Sequence, residues 1–142
     1  MKIGTSRRKK LEKKLDDLHK LKVRLRDSDS GGFAECISCG EILRLGTSNC
    51  QAGHYISKGQ SKLLRWEDDN VNTQCYRCNI HKKGNYHDYR KGMIDKYGAD
   101  REKEIWEKRH ELSKGLFPLD WLEHRIEEEK EEIEMIKNAK KL

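Results

Sequence analysis

Four cysteines in two short pairs, Cys36-Ile-Ser-Cys39 and Cys75-Tyr-Arg-Cys78, are the residues of this chain best suited to bind a metal. A tetrahedral ion needs four ligands, and each Cys-x-x-Cys turn delivers two thiolates, so the spacing predicts one structural zinc. Zinc held by four thiolates has no open position and does no chemistry itself. Chemistry falls to the polar groups it organises: His54 after the first pair, Asn70 before the second, and Asn79 directly after it. A divalent ion held by amide and carboxylate oxygens near Asn79 would polarise a phosphodiester while neutral His54 takes a proton from the attacking water. Imidazole suits that task because its ordinary pKa, about 6.5, leaves it largely neutral at physiological pH. Cys50, outside both pairs, is expected to be a free thiol.

These residues must be positioned by a small scaffold. Leu11, Leu15, Leu18, Leu21 and Leu25 form an apolar stripe on a basic helix over residues 7–26, stopped by Ser28-Asp29-Ser30-Gly31-Gly32. From Cys36 to Cys78 the pattern reads as short strands and loops. Tyr86, Tyr89, Met93, Ile94 and Tyr97 predict a helix that begins near Asn79 and ends at Gly98. Asp100 is expected to cap a further helix with Ile105, Trp106, Leu112 and Leu116 on its inner side, ended or kinked at Gly115. Pro118 opens a last helix, where Leu119, Leu122, Ile126, Ile133 and Ile136 repeat at heptad spacing, interrupted at Glu129 and Lys130. The two end stripes predict either a two-fold homodimer or pairing within one chain.

Only 34% of the 142 residues are hydrophobic and 39% are charged, which excludes a large core and makes a stabilising metal the more valuable. No apolar run approaches a membrane span, so a soluble, cytoplasmic protein is expected, with no membrane partner. The net charge of +6 is uneven. Residues 1–29 carry 11 Lys/Arg against 5 Asp/Glu, residues 30–98 carry 10 against 7, and residues 99–142 carry 10 against 13. The division suggests a basic N-terminal helix (1–29), a zinc-bound core (30–98) and C-terminal helices for packing or dimerisation (99–142). A basic end and centre favour a polyanion, and nucleic acid is the expected one. Lys58, Lys62, Arg65, Lys82, Lys83 and Arg90 surround the motif as candidate DNA-binding residues.

His54, Asn70 and Asn79 stand where the HNH endonuclease motif has its His, Asn and final His or Asn. More narrowly, Gly-His-Tyr-Ile-Ser-Lys-Gly at 53–59, Glu-Asp-Asp-Asn-Val at 67–71, Gln-Cys-Tyr-Arg-Cys-Asn at 74–79, Gly84-Asn85 and Tyr89-Arg90 resemble the NinG (Rap) recombination proteins of lambdoid phages. The four-cysteine arrangement with an Asn after its second pair is also similar to phage endonuclease VII. The resemblance implies an α+β fold, a small zinc-stabilised ββα-metal (HNH, treble-clef-like) core flanked by long amphipathic helices. It implies His54 as general base, Asn70 as the amide that orients it or its loop, Asn79 as a ligand of a catalytic Mg2+ or Mn2+, and a DNA endonuclease acting on branched DNA such as Holliday junctions or D-loops. Phage or host recombination proteins are the implied protein partners, in the host cytoplasm. One position departs from the motif: many HNH enzymes have an acidic or imidazole ligand just before the catalytic His, and here it is Gly53. Asn85, His81, Asp68 and Asp69 are then the alternative candidates to complete the ion's ligands. A non-catalytic zinc module that binds nucleic acid would use the same cysteines and basic patch without needing His54, and an assembly adaptor would use the end helices alone.

Overall fold

The protein is described by a computed structural model covering residues 2–111 and 117–142. Helix α1 (Lys2–Asp27) is followed by strands β1 (Phe33–Glu35) and β2 (Ile42–Arg44), then β3 (Cys50–His54) and β4 (Val71–Cys75), and by helices α2 (Tyr86–Tyr97), α3 (Ala99–Lys108) and α4 (Leu119–Lys140). The strands form two antiparallel pairs, with Ala34 opposite Leu43 in one and Cys50 opposite Cys75, Gly53 opposite Asn72 and His54 opposite Val71 in the other. The result is a small mixed α+β fold. None of its described helices is long and apolar enough to cross a membrane.

Helix α1 is the element the others lean on. Its Val23 is buried against Ala52 of β3 and Val71 of β4. Its Leu15 packs with Trp66, Leu122 and Ile126, flanked by Leu11, Leu18, Phe117 and Trp121. The two end stripes therefore bury each other within one chain, as one of the two expected pairings has it. The helices run parallel: Arg7 meets Glu123, His19 meets Glu129, Lys22 meets Glu132, and Lys140 donates to the carbonyls of Leu25, Arg26 and Ser28. A separate cluster of Tyr55, Ile56, Leu64, Tyr89, Met93 and Ile105 joins the segment after β3 to α2 and α3.

The polar interruption at Glu129 is buried with no exposed surface. Its Oε1 lies 2.5 Å from His19 Nδ1, and Lys22 Nζ lies 2.7 Å from its Oε2 while also reaching Asp68 at 2.7 Å and Glu132 at 2.9 Å. Burial pushes the Glu129 carboxyl up, but the hydrogen bonds from His19 and Lys22 outweigh it and hold the group at about 2. Burial likewise works against the Lys22 ammonium, and its three carboxylate partners nonetheless raise it above its ordinary value.

Two helix boundaries differ from expectation. The helix expected from Asn79 starts at Tyr86, because the chain after Cys75 makes a tight π turn over Arg77–His81 and then passes Lys83, Gly84 and Asn85 at φ of 50°, 96° and 47°. Three successive left-handed residues cannot belong to a right-handed helix. Asp100 sits in the first turn of α3, while the N-cap position belongs to Gly98, whose φ of 91° lets it end α2 and begin α3 in one residue. Helix α3 ends at Lys108, and Trp106 is 40% exposed with its ring 6.0 Å from that of Tyr55. Leu112, Gly115 and Leu116 lie outside the described residues.

Removing one member of a buried ionic group strands the others, which costs on the order of 3–5 kcal/mol. Glu129→Ala is expected to lower unfolding free energy by about that much at pH 7 in urea titrations. Because the folded-state pKa of Glu129 lies below its ordinary 4.5, its stabilisation is present above 4.5 and fades as pH falls towards about 2. The gap between wild type and Glu129→Ala should narrow over the same window.

Candidate catalytic cleft and metal centre

The two Cys-x-x-Cys turns come together. Cys36, Cys39, Cys75 and Cys78 each offer a sulfur, all four lying within 4.8 Å of one another, and the cluster could hold a metal such as zinc. Local backbone bonds shape the turns: Cys36 N donates to Glu41 O at 2.8 Å and Gly40 N to Cys36 O at 2.9 Å in the first, and Cys78 N to Cys75 Sγ at 3.4 Å in the second. Soft thiolates in a closed set of four are the donors zinc prefers. Cys50 is buried opposite Cys75 but lies outside the four, as expected of a free thiol.

His54 ends β3. Its Nε2 donates to the carbonyl of Arg65 at 2.9 Å, which fixes the neutral tautomer with its lone pair on Nδ1, and no hydrogen bond reaches Nδ1 among the described residues. Burial disfavours the imidazolium and, helped by nearby Lys20, outweighs the Arg65 carbonyl, so its pKa lies below 6.5. The ring lines a cleft of about 210 Å3 together with Asp16, Lys20, Ser57, Lys58, Asn79, Lys83 and Gly84.

Asn70 is wholly buried, and among the described residues no hydrogen bond joins its amide to His54. Its Oδ1 accepts from Ile56 N at 2.9 Å and its Nδ2 donates to the carbonyls of Ile56 and Leu64 at 2.9 and 3.0 Å, while its own carbonyl accepts from Tyr55 N at 2.8 Å. The amide thus ties both ends of the segment between β3 and β4, the segment that carries the Arg65 carbonyl.

Asn79 reaches the cleft from the π turn, with Nδ2 donating to Gln51 Oε1 at 2.9 Å. Asn85 points elsewhere: its Nδ2 faces Cys78 Sγ at 3.4 Å and Asp88 at 3.0 Å, so its amide supports the cysteine cluster. Asp68 and Asp69 are engaged by Lys22 and Arg101, and the His81 ring stands edge-on to Tyr76 at 5.1 Å. Among the candidate DNA-binding residues, Lys58, Lys62, Lys82, Lys83 and Arg90 are exposed. Arg65 is not presented to solvent in that way. Its guanidinium grips Asp16 through two bonds of 3.0 and 2.7 Å and lies 4.6 Å above the Trp66 ring.

Asp16 and Lys20 carried no signal in the sequence beyond charge on a helix. In the fold Asp16 also accepts from Trp66 Nε1 at 2.9 Å, so α1 holds the Arg65–Trp66 turn and, through its carbonyl, the tautomer of His54. An NMR pH titration of the folded protein should place the His54 midpoint below 6.5. A folded-state pKa below the unfolded value means that His54 adds stability above pH 6.5 and loses it as pH falls through the folded midpoint.

Comparison with known proteins gives one consistent result. Protein ninG of Escherichia phage 933W and of Escherichia phage lambda are each 38% identical to this chain over 83 residues, and that of Salmonella phage P22 is 39% identical over the same length. The matched region is 58% of this chain and 37–38% of each relative, so the chain spans well under half the length of those proteins. No solved structure matches. The family described as Bacteriophage Lambda NinG protein matches residues 2–141, nearly end to end, and the chain belongs to that family.

Proposed function

We propose that this protein is a metal-dependent endonuclease of the HNH type that hydrolyses DNA phosphodiester bonds in phage recombination, with branched DNA as substrate. The observation that carries this reading is the state of His54: a neutral imidazole, its Nε2–H held by the Arg65 carbonyl and its Nδ1 lone pair free, in a cleft flanked by Lys20, Lys58 and Lys83. A general base must be unprotonated and oriented before substrate arrives, and lysines at the rim attract the phosphates it works on. His54 at the end of the first strand of an antiparallel pair, and Asn79 in the turn between that pair and α2, support the HNH reading. The branched substrate rests on the likeness to the recombination proteins alone.

Zinc in the four-cysteine cluster is a scaffold in this reading, fixing the turn that delivers Asn79 next to Cys78. Asn79 would hold Mg2+ or Mn2+ through its amide oxygen, a hard donor suited to either ion. When bound, that ion supplies polarisation of the phosphate and stabilisation of the leaving oxygen. His54 takes the proton from water at Nδ1, and the lysines hold the strand.

His54→Ala is expected to slow cleavage of a four-way DNA junction by roughly 10²–10⁴-fold, the usual worth of a positioned base, while leaving DNA affinity and zinc content unchanged. Cleavage by the wild type should be level above pH 6.5 and fall below it, as the ring protonates. Wild-type rates from His54→Ala would overturn the assignment. Elemental analysis should find one zinc per chain, lost with unfolding of the centre in Cys75→Ser and kept in Cys50→Ser.

A further inference from the structure

Two amide oxygens crowd the same side of the Gly53 α-carbon. A β-carbon on residue 53 would lie 2.1 Å from Gln74 Oε1 and 2.8 Å from Asn79 Oδ1. The orientation of each amide is fixed from the backbone. Gln74 Nε2 donates to Gly84 O at 2.7 Å and to Ser38 Oγ at 2.9 Å, and a carbonyl can only accept, so the opposite atom is the oxygen. Gln51 Nε2 donates to Ser48 O at 3.0 Å, which leaves Gln51 Oε1 to accept from Asn79 Nδ2 at 2.9 Å and turns Asn79 Oδ1 towards Gly53.

Gln74 is 0% exposed, and its Oε1 is buried with no hydrogen-bond partner among the described residues. No described donor reaches Asn79 Oδ1 either. A buried acceptor left unpaired costs about 1–3 kcal/mol, so Gln74 Oε1 calls for a positive charge or a donor to complete it. Asn79 also lines the His54 cleft.

The geometry points to Gln74 Oε1 and Asn79 Oδ1 as paired ligands for a hard divalent cation, with Gln74 taking the part of the side chain that residue 53 lacks. Oxygen donors suit Mg2+ and Mn2+, and two neutral ones leave most of the coordination shell to water and to incoming phosphate. Gly53 is then required for space: any side chain there would drive the Gln74 amide out of the site. As to its purpose this inference rests on the endonuclease reading; as to binding it does not.

The test is Mn2+ binding by the zinc-loaded full chain without DNA, read from the loss of the free-ion electron paramagnetic resonance signal, with Mg2+ as competitor. Adding charge at either ligand should tighten binding by about tenfold or more, since site charge tunes affinity, so Gln74→Glu and Asn79→Asp are both expected to gain and Gln74→Met to lose. Zinc content and circular dichroism show which variants are folded. Asn79 is half-buried, so Asn79→Asp keeps the test open if Gln74→Glu does not fold. Equal Mn2+ affinity in wild type, Gln74→Met and Asn79→Asp would overturn the inference and assign the space to a water molecule. That failure is separable from failure of the nuclease reading: wild-type cleavage by His54→Ala with tightened Mn2+ binding in Asn79→Asp would remove the base and keep the ion site.

Discussion

A carboxylate with no exposed surface, Glu129, holds the ends of this chain to its middle. Its partners His19 and Lys22 come from α1, and Lys22 extends the contact to Asp68 just before β4. Taking these charges out of water is costly, and the cost is met only while every member is present. The network therefore works as a register lock more than as a source of net stability. Leucine and isoleucine stripes would tolerate sliding of two parallel helices by a turn, whereas one ammonium between three carboxylates would not. In a chain with so few apolar residues, fixing the register of α1 and α4 by charge leaves the small core free to pack around the strands.

Register matters because α1 reaches the cleft. From the same helix, Asp16 grips Arg65 and Trp66, Lys20 lines the cleft, and Arg26 donates to the carbonyls of Asp68 and Val71. Asp16 and Lys20, four residues apart, lie one turn from each other on the same face of α1, and Arg26 reaches the end of the segment between β3 and β4 from the last turn. Asn70 pins that segment from inside while Asp16 pins it from outside. What both hold in place is a single backbone carbonyl, that of Arg65, and with it the tautomer of His54. A shift of α1 by one turn would carry Asp16 away and free the imidazole to rotate.

Part of this was legible in the sequence because part of it is local. The cysteine pairs deliver ligands from single turns, and the stripes on α1 and α4 repeat at helical period, so spacing alone exposes them. His54 and Asn79 stood out by their places after the first and the second pair. The rest depends on partners far apart in the chain. His19 and Glu129 are separated by 110 positions, and each alone looks like an ordinary polar residue on a charged helix. Asp16 and Arg65 are 49 apart, which is why Arg65 read as a phosphate ligand when it serves as an anchor. Asn85 misled for a different reason: its left-handed φ of 47° turns the amide towards Cys78, and backbone conformation of that kind leaves no trace in residue type.

Asp16, the carboxylate that lines the cleft, is engaged by Arg65, and on the segment before β4 Asp68 is engaged by Lys22 and Arg125 and Asp69 by Arg101. Also lining the cleft are the ammonium groups of Lys20, Lys83 and Lys58, the last 3.6 Å from Asp16, with a neutral imidazole and a neutral amide. An approaching phosphate thus meets attraction with no unpaired anion to oppose it, and that attraction survives burial better than it would in open water. An acidic side chain at position 53 would bind a cation more tightly in the free protein, but it would also repel the phosphate until the ion arrived. If the proposed ion site and DNA substrate hold, glycine at 53 with amides at 74 and 79 would shift affinity for the ion towards the complex with DNA, where the phosphate oxygens would supply the missing negative charge.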